Sequence, residues 1–348
     1  GATSGAGGNI KIQNTGTGGI SVASTLTANN RGAFMGGTIQ LLANGATPGQ
    51  ITLNYAAADT WSTNNVGTTG NGGTITVSGS TITRNATAGA LTITANGPSG
   101  VGGTGNAGTI TFTATGATAD ILLNTGTTSL NTRGGLTGGN GNDITLTAGR
   151  TMNLSTASFN ASPTAGNGNG GSVSITGSIT ASGALTLGST LNTSGSVTGN
   201  AGNISIINNS TGAITLSTAA DLTASAGSTS GAGGAILIRN LGTGGISLGS
   251  TLTATNRGAS AGGSITVDAN GATPGTVTLN YNVAGGDTWS VNNTGTTGTA
   301  GTISVTGGTI TRAATAQTLT ITANGPTAAG GNGNAGTISF TANGAAND

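Results

Sequence analysis

Acid–base chemistry in this chain would depend on carboxylates, because its 348 residues include seven Asp but no Glu, His or Cys. Cleavage of a glycosidic bond needs two or three carboxylates that converge within roughly 5–10 Å. Without His or Glu the choice of a general acid is narrow, and aspartates at turns commonly accept backbone N–H groups. We therefore predict no catalysis and keep a polysaccharide-cleaving enzyme as a lower alternative. The carboxylates concerned are Asp59, Asp120, Asp143, Asp221, Asp268, Asp287 and Asp348.

Binding of a metal ion or of nucleic acid finds little support in the sequence. A calcium-binding solenoid would repeat its Gly-rich, Asp-containing phrase in series, whereas GGNGNDIT at 138–145 occurs once. The absence of Cys excludes thiolate metal sites, and one Lys with seven Arg gives a net charge of only +1. We predict no cofactor, no metal and no nucleic-acid partner. No run of about 18 apolar residues predicts a membrane span.

The aromatic residues supply the remaining candidate site. Two matching phrases, DTWSTNN at 59–65 and DTWSVNN at 287–293, each place a Trp beside Asp and Asn. A surface Trp in this setting could stack against a sugar ring. The alternative is that the Trp fills a wide corner of the core, because large aromatics are mostly buried. The possible glycan contact comprises Trp61, Trp289, Tyr55, Tyr281, Asp59 and Asp287.

A long internal repeat determines how these residues are arranged. Residues 5–32 return at 231–258 with an offset of 226, and the DTWS phrases match at an offset of 228 after two inserted residues. The chain thus holds one long repeat at 1–226 and a partial second copy at 227–348. No composition shift marks a boundary, so we predict one continuous domain over 1–348. Because residue 1 is Gly and not Met, we expect a segment of a longer chain.

A shorter repeat lies inside the long one. Phrases such as GNAGTITF at 105–112 place an alternating apolar segment after a Gly-rich corner, and the first apolar residue returns every 29–38 residues. Each unit adds two further alternating segments, and a period of two is the signal of a half-buried strand. The 69 Gly disfavour helices. Three short strands per unit, in about eleven units of about 33 residues, predict a parallel β-solenoid whose neighbouring coils bury each other's apolar stripes.

The GNAG phrases at 105–112, 199–206 and 333–340, with DITLTAGRTMNLS at 143–155, resemble the repeats of filamentous-haemagglutinin-type proteins, which are large secreted passengers of two-partner secretion systems. The resemblance implies a right-handed parallel β-helix, export to the bacterial cell surface or beyond, and a role in adhesion or surface fibres. We therefore expect a rigid extracellular fibre or adhesin stalk whose partners are neighbouring solenoid segments or copies of itself.

Two further functions stay open as alternatives. The first is a glycan-binding adhesin module that uses Trp61 and Trp289 on a host or matrix glycan. The second is an ice-binding solenoid, since outward Thr and Ser would form a column that Lys11, Gln40 and Leu237 interrupt. Its members include Thr74/Thr76, Thr109/Thr111, Ser172/Ser174, Thr302/Ser304 and Thr337/Ser339.

Overall fold

The computed structural model describes residues 5–85, 89–177, 183–281, 286–313 and 317–344. Over these ranges the chain is all-β and forms three parallel sheets, which wind as a β-solenoid of about ten turns with roughly 32 residues per turn. The predicted fold class, with three short strands in each coil, is confirmed. The described residues contain no helix that is long and apolar enough to cross a membrane.

The strands of each sheet come from successive coils, and we number the coils 1 to 11 by the first-sheet strand with which each begins. The first sheet contains β1 (Asn9–Asn14), β4 (Thr38–Ala43), β7 (Thr74–Gly79), β10 (Thr109–Ala114), β13 (Ile144–Ala148), β16 (Val173–Gly177), β19 (Ile204–Asn208), β22 (Ala235–Asn240), β25 (Ser264–Asp268), β28 (Thr302–Gly307) and β31 (Thr337–Ala342). The second contains β2 (Ile20–Val22), β5 (Gln50–Leu53), β8 (Thr81–Arg84), β11 (Ile121–Leu122), β14 (Met152–Leu154), β17 (Leu185–Leu187), β20 (Ile214–Leu216), β23 (Ile246–Leu248), β26 (Thr276–Leu279) and β29 (Thr309–Arg312). The third contains β3 (Leu26–Thr27), β6 (Asp59–Ser62), β9 (Leu91–Thr94), β12 (Thr128–Asn131), β15 (Ala157–Asn160), β18 (Leu191–Asn192), β21 (Leu222–Thr223), β24 (Leu252–Thr253), β27 (Asp287–Ser290) and β30 (Leu319–Thr322).

Like residues stack on like residues because successive coils pair in register. Ile75 pairs with Ile110, and Ile110 pairs with Ile144; all three are fully buried. Side chains alternate across a strand, so the same register places Thr and Ser on the outward face. Burial of an Ile side chain contributes about 1.5–3 kcal/mol. Each coil buries the apolar stripe of its neighbours, so stability accumulates along the solenoid.

The second Gly of the GNAG phrase packs directly on the preceding coil. A Cβ atom at Gly108 would lie 1.6 Å from the carbonyl oxygen of Gly73, and one at Gly336 would lie 1.8 Å from that of Gly301. The backbones of adjacent coils approach here to about 4.8 Å, the usual spacing of paired strands. A residue without a side chain fits this approach, which explains why a Gly recurs at this corner in most coils, as at Gly37, Gly73 and Gly301.

Candidate functional site

The Tyr55–Trp61 pair lies in the core of coil 2. Trp61 pairs with Leu26 and Ile93 of the neighbouring coils, and its indole is fully buried. The two rings meet edge to face, with their centroids 6.2 Å apart. The indole Nε1 donates to the Tyr55 hydroxyl oxygen at 2.5 Å, and this hydroxyl donates to the carbonyl oxygen of Ser24 at 3.0 Å. Burial raises the pKa of the Tyr55 phenol to about 12.

The second repeat carries the equivalent pair in coil 9, where Tyr281 and Trp289 are both fully buried. Their ring centroids are 6.3 Å apart. Nε1 of Trp289 donates to the carbonyl oxygen of Ser250 at 3.2 Å, and burial raises the pKa of the Tyr281 phenol. The structure therefore places both Trp rings in the core, the second of the two settings that the sequence allowed. Neither Trp61 nor Trp289 presents a ring face on which a sugar could stack.

Asp59 and Asp287 begin the third-sheet strands of coils 2 and 9. Oδ1 of Asp59 accepts hydrogen bonds from Oγ1 of Thr25 at 2.5 Å and from the backbone N–H of Thr60 at 2.7 Å. Oδ1 of Asp287 accepts from Oγ1 of Thr251 at 3.1 Å. Oδ2 of Asp287 is buried and has no hydrogen-bond partner within the described ranges. Both carboxylates thus lie at the corner that leads into the third sheet.

Asp221, in coil 7, and Asp287, in coil 9, lie near each other at this corner, with one coil between them. Thr251, in the coil between them, donates its backbone N–H to Oδ1 of Asp221 at 3.3 Å and its hydroxyl to Asp287. Burial raises the pKa of the Asp287 carboxyl, the Thr251 hydrogen bond opposes this, and the charge of Asp221 adds to it. Asp287 is only 8% exposed. The Asp287 carboxylate is therefore largely withdrawn from the surface, whereas cleavage of a glycosidic bond needs two carboxylates that converge on the substrate.

Two further carboxylates form ion pairs with arginines. Arg150 donates from Nε to Oδ1 of Asp120 at 2.9 Å and from Nη2 to Oδ2 at 2.5 Å, and the backbone N–H of Thr151 also donates to Oδ1. Burial opposes ionisation of Asp120, but these hydrogen bonds hold its carboxyl pKa below the usual range. Nε of Arg239 donates to Oδ2 of Asp268 at 2.9 Å. In the part of the chain that the structure describes, no group of three or more acidic, His or Cys side chains could hold a metal ion.

The outward face of the first sheet carries two parallel columns of hydroxyl side chains over coils 3–6. The strand register confirms that Lys11, Gln40 and Leu237 occupy the same column in coils 1, 2 and 8. The regular array therefore covers only part of the sheet. Its members are Thr76, Thr111, Thr145 and Ser174 in one column and Ser78, Thr113, Thr147 and Thr176 in the other.

An asparagine ladder runs along the GNAG corner. Oδ1 of Asn71 accepts the backbone N–H of Asn106 at 2.9 Å, and Oδ1 of Asn106 accepts that of Asn140 at the same distance. The series continues through Asn169 and Asn200 with bonds of 2.8 Å. Each side chain satisfies a backbone donor of the next coil at a corner, where strand pairing does not supply a partner. The sequence showed the recurring Asn but not this role.

A polar groove crosses the outward face of the third sheet over coils 4–7, and its volume is about 410 Å³. The sequence does not reveal this groove directly, because it forms only when four coils are stacked. A signal was nevertheless present: the third strands of three successive units, TSLN, ASFN and LN, all end in Asn. The lining residues are Asn131, Ser158, Phe159, Asn160, Thr190, Leu191, Asn192, Asp221 and Thr223.

Comparisons of the chain with protein-family models, with curated protein sequences and with solved structures give no match.

Proposed function

We propose that the chain is a structural protein, a stiff segment of an extracellular or bacterial cell-surface fibre or adhesin stalk. The observation that carries the proposal is the continuity of the three sheets. The first sheet runs unbroken through eleven strands, and the other two run through ten each. Ten coil intervals of about 4.8 Å give a rod about 50 Å long. Parallel strand pairing bridges the first nine intervals on three sides and the tenth through the first sheet.

The surface chemistry supports a structural role. Charged residues are 4% of the chain and the net charge is +1, so neighbouring rods would meet little electrostatic repulsion. The outward hydroxyl columns and the asparagine ladder keep the surface polar, and the ladder also satisfies backbone N–H groups at the corner. We propose neighbouring solenoid segments or further copies of the chain as the partners.

We also propose that the chain has no catalytic activity, and the placement of the acidic side chains supports this. Asp120 and Asp268 are held by arginines, and Asp287 is buried. Asp143, in the phrase that resembled a calcium repeat, accepts the backbone N–H of Ser172 at 2.9 Å, as a turn aspartate does. Asp59 and Asp221 each accept a backbone N–H group as well, and Asp348 lies outside the described residues.

Export and a surface location are proposed from the resemblance to filamentous-haemagglutinin-type repeats. Electron microscopy of the cells that make the protein, with a gold-labelled antibody against this chain, tests both location and form. We expect label along thin surface fibres with an axial period near seven coils, about 34 Å, because one 226-residue repeat spans seven coils. Label confined to the cell interior, or only separate rods about 50 Å long, would contradict the proposal.

A further inference from the structure

We propose that the polar groove on the third sheet, over coils 4–7, binds a neutral oligosaccharide. This site is distinct from the aromatic set predicted from the sequence, whose Trp rings are buried. It is also independent of the stalk function, because a stalk needs no ligand. The juxtaposition that carries the inference is a column of three amide side chains, with hydroxyl groups beside it and one carboxylate at its end.

The amide column follows from the strand register. Asn131 pairs with Asn160, and Asn160 pairs with Asn192, in three successive coils. Equivalent amides therefore recur at steps of about 4.8 Å along the solenoid axis. All three side chains are half-buried, which limits their mobility and reduces the entropy lost when a ligand binds.

The orientation of two of these amides is fixed by local hydrogen bonds. Oδ1 of Asn160 accepts the backbone N–H of Ser162 at 3.1 Å and its hydroxyl at 2.6 Å. Oδ1 of Asn192 accepts the backbone N–H of Ser194 at 2.9 Å. Each side-chain carbonyl oxygen accepts a hydrogen bond from the residue two positions later. The amide NH₂ group is therefore the part of each side chain that remains available to a ligand in the groove. An NH₂ group offers two donors.

The rest of the groove lining consists of hydrogen-bond acceptors and of hydroxyl groups that can both donate and accept. The hydroxyl of Ser158 donates to Oγ of Ser129 at 3.1 Å, so that an oxygen lone pair of Ser158 remains for a ligand. Thr190 and Thr223 add hydroxyls, and Asp221 adds a carboxylate whose Oδ1 accepts the backbone N–H of Thr251. The groove thus offers a row of donors, several hydroxyls that can donate or accept, and one strong acceptor.

This combination fits a polyol that carries no charge. A sugar hydroxyl both donates and accepts, so adjacent hydroxyls can accept from the amides and donate to Asp221. A glycan with carboxylate or sulfate groups would meet the charge of Asp221 without a neighbouring arginine or lysine in the lining. Three coil intervals span about 14 Å, which suits a short linear chain of like units laid along the axis.

The groove also predicts a modest affinity. Its only aromatic lining residue is Phe159, whose ring is 1% exposed and points into the core. Binding would therefore rest on hydrogen bonds, which contribute little net free energy each, and one groove is expected to bind in the millimolar range. Tight attachment would come from several grooves on one fibre.

The test uses the full 348-residue chain and an array of neutral cello-, manno-, xylo- and galacto-oligosaccharides, with sialylated and uronic-acid glycans beside them. The strongest neutral probe is then titrated by calorimetry. The informative variant is Asn160→Asp with Asn192→Asp, because a carboxylate still accepts the Ser162 and Ser194 N–H groups but donates nothing. Loss of the donors should weaken binding about tenfold or more. Asp221→Asn should weaken binding by a similar factor.

The matched control is Asn153→Asp. Asn153 lies on the outward face of the second sheet, and its Oδ1 accepts the backbone N–H of Ser155 at 3.3 Å. The control therefore makes the same chemical change with the same local hydrogen bond, away from the groove, and should bind as the unaltered chain does. Melting curves show whether each variant folds. If the double variant does not fold, the binding of the Asp221→Asn variant tests the proposal by itself.

Three results would overturn the proposal. The first is no binding of any neutral probe at millimolar concentration. The second is binding that the groove variants leave unchanged or that the control weakens equally. The third is binding of acidic glycans alone. None of these results bears on the fibre seen by microscopy, so failure of this inference and failure of the stalk proposal are separable.

Discussion

Replacement of Gly108 by Ala tests whether the GNAG corner sets the spacing between coils. The added Cβ would lie 1.6 Å from the carbonyl oxygen of Gly73 and 2.8 Å from the carbonyl carbon of Gly72. Contacts of a real Cβ below 3.0 Å are essentially unknown, so coil 4 would have to move by more than about 1 Å relative to coil 3.

The loss of folding free energy can be worked out from the contacts that this movement disturbs. The backbone N–H of Thr109 donates to the same Gly73 oxygen at 3.2 Å, and that of Gly108 donates to Ala95 at 2.7 Å. Overpacking costs about 1–3 kcal/mol, and loss of each hydrogen bond costs about 1 kcal/mol. The unfolded chain has less conformational entropy with Ala than with Gly, and this stabilises the folded variant by about 0.4–1 kcal/mol. We expect a net loss of about 3 kcal/mol.

Guanidinium denaturation followed by Trp fluorescence measures this loss. Replacing Trp289 by Phe leaves Trp61, in coil 2, as the reporter close to the substitution. The matched control is Gly138→Ala, which lies at the same type of corner in the next coil, where a Cβ would have no atom within 4 Å. We expect Gly108→Ala to lower the midpoint clearly and Gly138→Ala to leave it nearly unchanged.

Equal midpoints for the two variants would refute the reasoning. Equal midpoints would mean that the corner can accommodate a side chain, as the corner of coil 5 does. There Asn142 takes the place equivalent to Gly108, and its Nδ2 donates to the carbonyl oxygen of Ala107 at 3.2 Å.

Three other predictions concern the buried polar and aromatic groups. Trp61→Ala should lower the free energy of unfolding by about 3–5 kcal/mol, because it opens a large cavity; a loss below about 1 kcal/mol in denaturation would argue against a core position. With the pKa of Tyr55 raised to about 12 and that of Tyr281 raised as well, spectrophotometric titration of the folded chain should show no tyrosinate near pH 10. The stability that the neutral phenols contribute is complete below the ordinary pKa of 10.0 and should be lost as the pH rises toward the folded values. Asp287→Asn should raise the melting temperature at neutral pH, because it removes a buried charge, and the gain should vanish in acid, where the raised pKa of Asp287 leaves the wild-type carboxyl protonated. Asp59→Asn, whose wild-type carboxylate has two donors, should give no comparable gain, and an equal gain would contradict the explanation.

The fold could be predicted from the sequence because its information is local and repeated. The alternation in segments such as Ile75-Thr-Val77 and Ile110-Thr-Phe112 specifies which side faces inward, and a slip of one residue would expose the whole apolar set. The recurrence of that pattern then specifies the pairing of one coil with the next. For this reason even the positions that interrupt the outward column, such as Gln40 and Leu237, were predicted in register.

The candidate site could not be predicted in the same way, because it depends on the conformation of the loops at the corners of the coils. The sequence left the environment of Trp61 open, since Asp and Asn neighbours are compatible with either a surface or a corner of the core. The proximity of Asp221 and Asp287 requires knowledge of loop lengths across two coils. The groove requires a further step, because Asn131 and Asn192 are 61 residues apart and meet only when the units between them are stacked.

The direction of the coil-to-coil hydrogen bonds has a mechanical consequence. In a solenoid these bonds run along the axis, so a pulling force on a fibre acts parallel to them and loads the end coil before the coils behind it. Such a rod should yield by unwinding one coil at a time at a nearly constant force. Each unwound coil replaces a rise of about 4.8 Å with roughly 32 residues of free chain, about 100 Å when extended. A stalk of this kind would lengthen about twentyfold under load while the coils that remain keep their register, and could thus act as a shock absorber between a cell and the surface to which it is attached.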